Sequence, residues 1–349
     1  MRIITLEEHI TFPELTALIP EETLRLHSIE HLPMIKRVAR ALADVDGDRI
    51  SSMDKNGIGM QVLSVAGAGA ELLPADEGAD FAHLYNNAMA MRIAGHPGRF
   101  AAFAHLPMTN PEAAADELDR AVSTLGFKGA LINGLTRGVN GLAAGINGVT
   151  AGQFLDHPGF APLLQRAEGL NVPIYLHPGL PPKPVAEAYY SGLPKHAGDA
   201  LAISGWGWHS ETAIHVLRLI ISGTLDKYPK LKLIIGHMGE MLPMMMARCD
   251  DKFRIDHAGV NQRSISQTLK DQVYITTSGV FTLPPFMIAL ETFGIDNILF
   301  SVDYPFSRNE DGRRFLDSIP LPAPAIQKIA CLNAEKLLAP PLHLDFSIQ

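Results

Sequence analysis

Two cysteines, Cys249 and Cys331, are all the thiol chemistry in a chain of 349 residues. They are too few for a disulfide framework and lack the paired spacing of a structural zinc site, so a reducing, cytoplasmic setting is expected. Positive charge is also sparse: 29 Lys and Arg stand against 37 Asp and Glu, a formal net charge of -8, and no long basic run occurs. That removes the electrostatic footprint of a nucleic-acid or anionic-membrane binder and leaves a small molecule as the expected partner. Long apolar runs are missing as well. The first apolar stretch, Ile3 to Leu6, is far shorter than a signal-peptide core, and nothing approaches the ~18 to 20 apolar residues of a membrane span. No targeting segment, low-complexity tract or internal repeat beyond a strand–helix unit is visible.

What is present is an ordinary globular composition, 47% hydrophobic and 19% charged, enough for a large core. Eight short runs rich in β-branched or apolar residues recur, at 2–9, 60–66, 100–105, 128–133, 173–177, 231–237, 273–278 and 298–303. Between them lie stretches of helical periodicity such as Phe81 to Ala94, Pro111 to Leu125, Phe160 to Leu170, Glu211 to Ile221 and Pro324 to Leu338. Strand and helix alternating eightfold predict an α/β fold, a (β/α)8 TIM barrel, as one domain over residues 1–349. A doubly wound sheet would need a phosphate-binding glycine loop. After the second run, Gly67-Ala68-Gly69 begins such a loop, but Leu72 stands at its third glycine position. Pro13 to Asp44, Gly134 to His157 and Pro178 to Trp206 read as long loop insertions, the last two on the C-terminal face where barrel enzymes do their chemistry.

On that rim five polar side chains converge. Glu7 and His9 end the first strand one residue apart, so the period-two alternation of a strand puts them on one face and Glu8 on the other. Imidazole plus carboxylate suits zinc or manganese. His177, His237 and Asp303 each terminate a later apolar run, at Ile174-Tyr175-Leu176, Leu233-Ile234-Ile235-Gly236 and Ile298-Leu299-Phe300-Ser301-Val302. One such residue is ordinarily a turn or capping group; three from separate strands, joined to Glu7 and His9, outline a metal site. The remaining histidines, at 27, 31, 83, 96, 105, 157, 196, 209, 215, 257 and 343, read as surface, capping or core residues, with His209 the least settled beside Trp206-Gly207-Trp208. Met241, Met244, Met245 and Met246 read as helix core.

Leu6-Glu7-Glu8-His9, Arg49 ahead of Met53-Asp54-Lys55-Asn56-Gly57-Ile58, Gly126 to Gly134, Tyr175-Leu176-His177-Pro178, Ile235 to Glu240 and Phe300 to Phe306 together resemble the metal-dependent decarboxylases of the amidohydrolase superfamily, typified by γ-resorcylate and other ortho-hydroxybenzoate decarboxylases. The resemblance runs along nearly the whole chain. It implies Glu7, His9, His177 and Asp303 as ligands of one divalent metal, zinc or manganese. It also implies His237 beside the metal, oriented by Glu240, and Arg49 and Arg248 as residues able to face the substrate, a role that suits forked guanidinium–carboxylate hydrogen bonds. The related aminocarboxymuconate semialdehyde decarboxylases carry His-x-His on strand one, so Glu-x-His points to the hydroxybenzoate branch. Binuclear hydrolases of the superfamily place a modified Lys on strand four; Ile132-Asn133-Gly134 has none, so one metal is expected. A homodimer or homotetramer is implied by the family's habit.

The expected reaction is non-oxidative loss of CO2 from an aromatic ortho-hydroxy acid, with Asp303 protonating the ring carbon. The same ligands serve a rival: a metal-bound water attacking a lactone or ester, with Asp303 as base.

Overall fold

The computed structural model describes every residue except 28–31, 67–68, 137–151, 255–257 and 339–349. All eight expected strands form: β1 (Ile4–Ile10), β2 (Met60–Val65), β3 (Phe100–Ala102), β4 (Ala130–Asn133), β5 (Ile174–His177), β6 (Leu233–Ile235), β7 (Val273–Thr276) and β8 (Ile298–Leu299). Every pairing is parallel, with backbone ladders joining β1-β2-β3 and β4-β5-β6-β7-β8. Helices return each strand to the next, as parallel pairing requires.

Two seams join these groups into the (β/α)8 barrel. An Ala104–Ala130 bridge links the end of β3 to β4. Between β8 and β1 side chains replace the ladder: Leu6 N and Glu7 N both donate to Ser301 Oγ, at 3.0 and 2.7 Å. The Glu8 carboxylate in turn accepts from Ser301 Oγ, Val302 N and Tyr304 N at 2.9, 3.0 and 2.9 Å. His9 N adds a backbone bond to Tyr304 O at 2.7 Å. Buried backbone groups need partners, and here an internal carboxylate supplies them.

The alternation expected along β1 holds locally but slips once. Thr5 pairs with Gln61 and Glu8 with Leu63, so two residues of β1 face one of β2. This bulge lets Ile4 and Leu6 fill the barrel interior while Glu7 and His9 also turn inward at its mouth. The interior is packed by Ile4, Leu6, Met60, Val62, Phe103, Leu131, Tyr175, Ile234 and Leu299, with Cys331, Ala334 and Leu337 against them. A second apolar layer lies between sheet and helices.

Among the helices, Ala75–Ala94, Pro111–Ser123, Ala161–Leu170 and Gly207–Ile221 fall where helical periodicity predicts them. The expected helix Pro324 to Leu338 is instead Ala323–Gln327 and Asn333–Leu337 around a π-turn at Lys328–Leu332. The wider turn leaves Ile329 O free to accept from Phe300 N at 2.9 Å, tying the chain after β8.

Two of the three stretches read as loops contain helices. Pro13 to Asp44 holds Pro13–Thr16, Glu21–His27 and Pro33–Ala43; Pro178 to Trp206 holds Lys183–Tyr189 and Ala197–Ala202. Pro13, Pro33 and Pro184 occupy first turns of these helices, where the missing N–H costs nothing. Most of Gly134 to His157 lies outside the described residues, as do Gly67 and Ala68, His31, His257 and His343. Among the described residues no helix is long and apolar enough to cross a membrane.

Candidate metal centre and active site

Glu7, His9 and His177 bring one ligand atom each to within 4.8 Å of one another at the mouth of the barrel. His177 Nε2 lies 3.5 Å from Glu7 Oε1, and His9 Nε2 lies 3.3 Å from Asp303 Oδ1, so the fourth expected ligand faces the same point. The groups behind them decide which atoms remain free. Glu7 Oε2 accepts hydroxyls from Tyr175, Thr276 and Ser278, while Oε1 is buried without a hydrogen-bond partner. His9 Nδ1 meets Ser64 Oγ at 3.2 Å and its buried Nε2 has no hydrogen-bond partner. His177 Nδ1 lies 2.9 Å from both Asn133 Oδ1 and Pro178 O. Both are acceptors, so Nδ1 carries the proton and the Nε2 lone pair is left for the site. Gly236 leaves room for this arrangement, because a Cβ there would lie 2.7 Å from Glu7 Oε2.

The electrostatics fit a divalent cation. Burial pushes His9 and His177 down to about 4, so both are neutral donors near pH 7. Burial alone would raise the Glu7 carboxyl, but His237, His177, His9 and the Ser278 hydroxyl hold it down at about 2. Asp303 goes the other way: burial and the nearby Glu7 charge push it up to about 8. The two carboxyls of one pocket are thus shifted in opposite directions.

His237 stands on a different kind of backbone. After β6, His237, Met238, Gly239, Glu240 and Met241 all have positive φ, from 49 to 89°, a left-handed turn built largely from non-glycine residues. Such conformations cost on the order of 1–2 kcal/mol per residue and mark functional sites. Here the turn folds Glu240 back so that its Oε1 accepts from His237 Nδ1 at 2.7 Å. His237 Nε2 then faces Glu7 Oε1 at 3.7 Å and Asp303 Oδ2 at 3.9 Å. Burial opposes charging this imidazole, but Glu240 and Glu7 outweigh it and push it up to about 10, a cation. Asp303 itself is held at φ 73°, with Tyr304 N fastened to Glu8 and Ser307 N bonded to Asp303 O.

A cavity of about 610 Å³ opens above these groups, lined by His9, His177, His237 and Asp303 and by Arg37, Trp208, His209 and Phe306 among others. His209, read from sequence as a background histidine, is part of the site: its Nδ1 lies 2.6 Å from Glu240 Oε2 and its Nε2 3.0 Å from Ser204 O. Glu240 is thus clamped between two imidazoles, His237 on Oε1 and His209 on Oε2. No motif spacing pointed to it; the long gap from 209 to 240 is closed only by the fold.

The two arginines expected to face substrate do not line this cavity. Arg49 is fully buried, its guanidinium spent on Asp44 O, Ala41 O, Gln61 Oε1 and His9 O, and it lies over the Tyr304 ring at 4.7 Å. Four acceptors beneath β1 make it a brace for His9. Arg248 is exposed on the helix Leu242–Lys252, whose buried face is Leu242, Met246 and Cys249. On that helix Met244 and Met245 are exposed too, and only Met246 of the run reads as core. Among the described residues the guanidinium in the cavity wall is that of Arg37, on the helix Pro33–Ala43 inside the expected loop Pro13 to Asp44.

The fold, the ligand set and the single strand-four Asn describe a metal-dependent amidohydrolase, and comparison with known proteins agrees: the amidohydrolase family model matches residues 33–339, and the chain belongs to that family. Within it the chain is an enzyme of the decarboxylase branch. It is 36% identical over 343 residues to the decarboxylase orsB of Emericella nidulans, covering 96% of each chain. Identity is 34% to the γ-resorcylate decarboxylase of a Rhizobium species, over 96% of this chain and 97% of the relative. The crystal structure of a dihydroxybenzoic acid decarboxylase from Polaromonas, with bound manganese and the inhibitor 2-nitroresorcinol, superimposes with a TM-score of 0.81 at 32% identity over 96% of both chains. These relatives decide between the two reactions left open by the ligands, in favour of decarboxylation. A divalent metal is the cofactor.

Proposed function

We propose that the enzyme removes CO2 from an ortho-hydroxybenzoate, with manganese held by Glu7, His9, His177 and Asp303 and with Asp303 as the acid that protonates the ring. The observation that carries this reading is the convergence at the barrel mouth of the Glu7, His9 and His177 ligand atoms, within 4.8 Å of one another, with the Asp303 carboxyl, an acid 3.3 Å from His9 Nε2 and 3.9 Å from His237 Nε2. A reaction that needs a proton delivered to carbon near neutral pH requires such an acid.

When bound, the ion supplies Lewis acidity to the phenolic and carboxylate oxygens of the substrate. Arg37 at the cavity wall offers a guanidinium fork to an anionic oxygen and sets the ring's orientation. Asp303 passes its proton to the ring carbon that bears the carboxylate, and that carbon becomes tetrahedral. The bond to the carboxylate then breaks, CO2 leaves, and the electron pair restores the aromatic ring. Asp303 is left as a carboxylate beside the His237 cation until solvent returns a proton. Glu240, fixed by His209, keeps His237 charged and facing Asp303. The test is Asp303→Asn, which keeps a polar side chain of the same shape and cannot donate the proton: turnover should disappear while the fold remains. Full turnover in that variant would end the assignment.

The exposed Met244 and Met245 beside Arg248 support reading the working form as a homodimer or homotetramer. Sedimentation of the purified chain at micromolar concentration tests that, a monomer being the contrary result.

A further inference from the structure

Beside the catalytic cavity lies a second chamber of about 350 Å³ with a different character. The two share three wall residues, Ile35, Ala66 and Phe306. Phe306 is the hinge between them, because its ring also meets the ring of the expected metal ligand His9 edge-on, with centroids 5.6 Å apart. Beyond that shared wall the chamber is apolar, formed by Pro13, Ala17, Leu24, Ala39 and Leu42. Its two threonines turn to each other, Thr11 Oγ1 and Thr16 Oγ1 standing 3.3 Å apart, so they present no unmet polar group. Among the described residues Lys36 is the one charged residue in the lining, and it is solvent-exposed.

A benzene ring with its carboxylate and hydroxyl is accounted for by the polar groups around His9, His177, His237, Asp303 and Arg37. Nothing in that chemistry uses an adjoining apolar recess, and an apolar recess beside a substrate cavity is where a ligand can bury hydrocarbon surface. We propose that the chamber is a subsite for an apolar ring substituent, so that the preferred substrate is an ortho-hydroxybenzoate carrying an alkyl chain of several carbons. The inference rests on the decarboxylase reading and names the substrate class within it. A chain running from the ring into the chamber would pass Ile35, Ala66 and Phe306, the three residues that line both cavities. Each methylene moved from water into such a lining raises apparent affinity by about three- to fourfold.

The experiment measures kcat/KM of the manganese-loaded enzyme on two series of 2-hydroxybenzoates, bearing hydrogen, methyl, propyl or pentyl at ring carbon 4 in one and carbon 6 in the other. The expected result is a rise of about threefold per carbon in one series, carried mainly by KM, which also identifies the ring position that faces the chamber. In Ala39→Phe, which fills the chamber from the side away from the catalytic cavity, the gain per carbon should collapse. Turnover of the unsubstituted acid with flat or falling values along both series would overturn the subsite while leaving the reaction intact. Silence of every compound, the unsubstituted acid included, would overturn the decarboxylase reading and the subsite with it.

Discussion

At the scale of single residues the site separates groups that do chemistry from groups that hold them. Asp303→Asn should remove measurable turnover, a loss in kcat at least at the upper end of the roughly hundred- to ten-thousandfold contributed by a positioned acid, with the circular dichroism spectrum unchanged. His209 belongs to the second kind. His209→Ala removes one of the two imidazoles that fix Glu240, and the expected loss is about tenfold in kcat, with His209→Asn recovering part of it. A variant with wild-type kcat would show that Glu240 needs only His237. Arg37 and Arg49 give opposite expectations although both are arginines on neighbouring helices. Arg37→Ala should raise KM with little change in thermal stability. Arg49→Ala strands the buried carbonyl of His9 and the part-buried ones of Ala41 and Asp44 and should cost on the order of 3 kcal/mol, seen as a lower melting temperature. The sequence made Glu7, His9, His177 and Asp303 legible because each is a polar residue ending an apolar strand. It concealed Arg37 and His209, whose places in the site depend on helices that cross the barrel mouth.

Among the elements, the eight strands were readable because buried parallel strands are continuous apolar runs with sharp polar ends. Two devices were not readable. One is the bulge in β1, a phase slip of one residue that no alternation pattern marks, since Leu6, Glu7 and Glu8 are all buried. The other is the left-handed turn His237–Met241, where a single Gly239 disguises a run of five positive φ values. The strand preceding that turn carries a prediction of its own. Gly236→Ala puts a methyl group 2.7 Å from Glu7 Oε2, so the carboxylate must move; metal affinity should fall about tenfold by competition with a chelator, while distant packing is untouched. Unchanged affinity would mean that the Glu7 position is not set by its three hydroxyl partners.

For the whole molecule, two buried imidazoles outside the expected metal-ligand set, His105 and His215, add to its sensitivity to acid. His105 Nε2 accepts from Ala70 N at 2.9 Å and His215 Nε2 accepts from Leu155 N at 2.8 Å, so each buried ring must stay neutral. Burial pushes them down to about 4 and about 3. The unfolded chain binds protons at these rings near pH 6.5 and the folded chain does not, so folding free energy is fully present above that pH and falls as pH drops toward 4. The expected loss is on the order of 3 kcal/mol per imidazole over that window. In chemical denaturation from pH 7 to pH 4.5, His105→Gln and His215→Gln should each flatten the decline; identical slopes would place the acid sensitivity elsewhere. The barrel that these residues support was legible as a whole, because strand spacing alone fixes its eightfold order. Its closing seam was not, since Glu8 and Ser301 do there what a backbone ladder does elsewhere.

The central claim is that proton delivery to carbon accompanies CO2 loss in this pocket. It is tested most directly by incubating the manganese-loaded enzyme with 2,6-dihydroxybenzoate in D2O and following the product by NMR. One deuterium at the vacated ring carbon for each CO2 released is the predicted result, absent in Asp303→Asn and after removal of the metal. Consumption of a lactone or ester by the same preparation, with the hydroxybenzoate left intact, would contradict it.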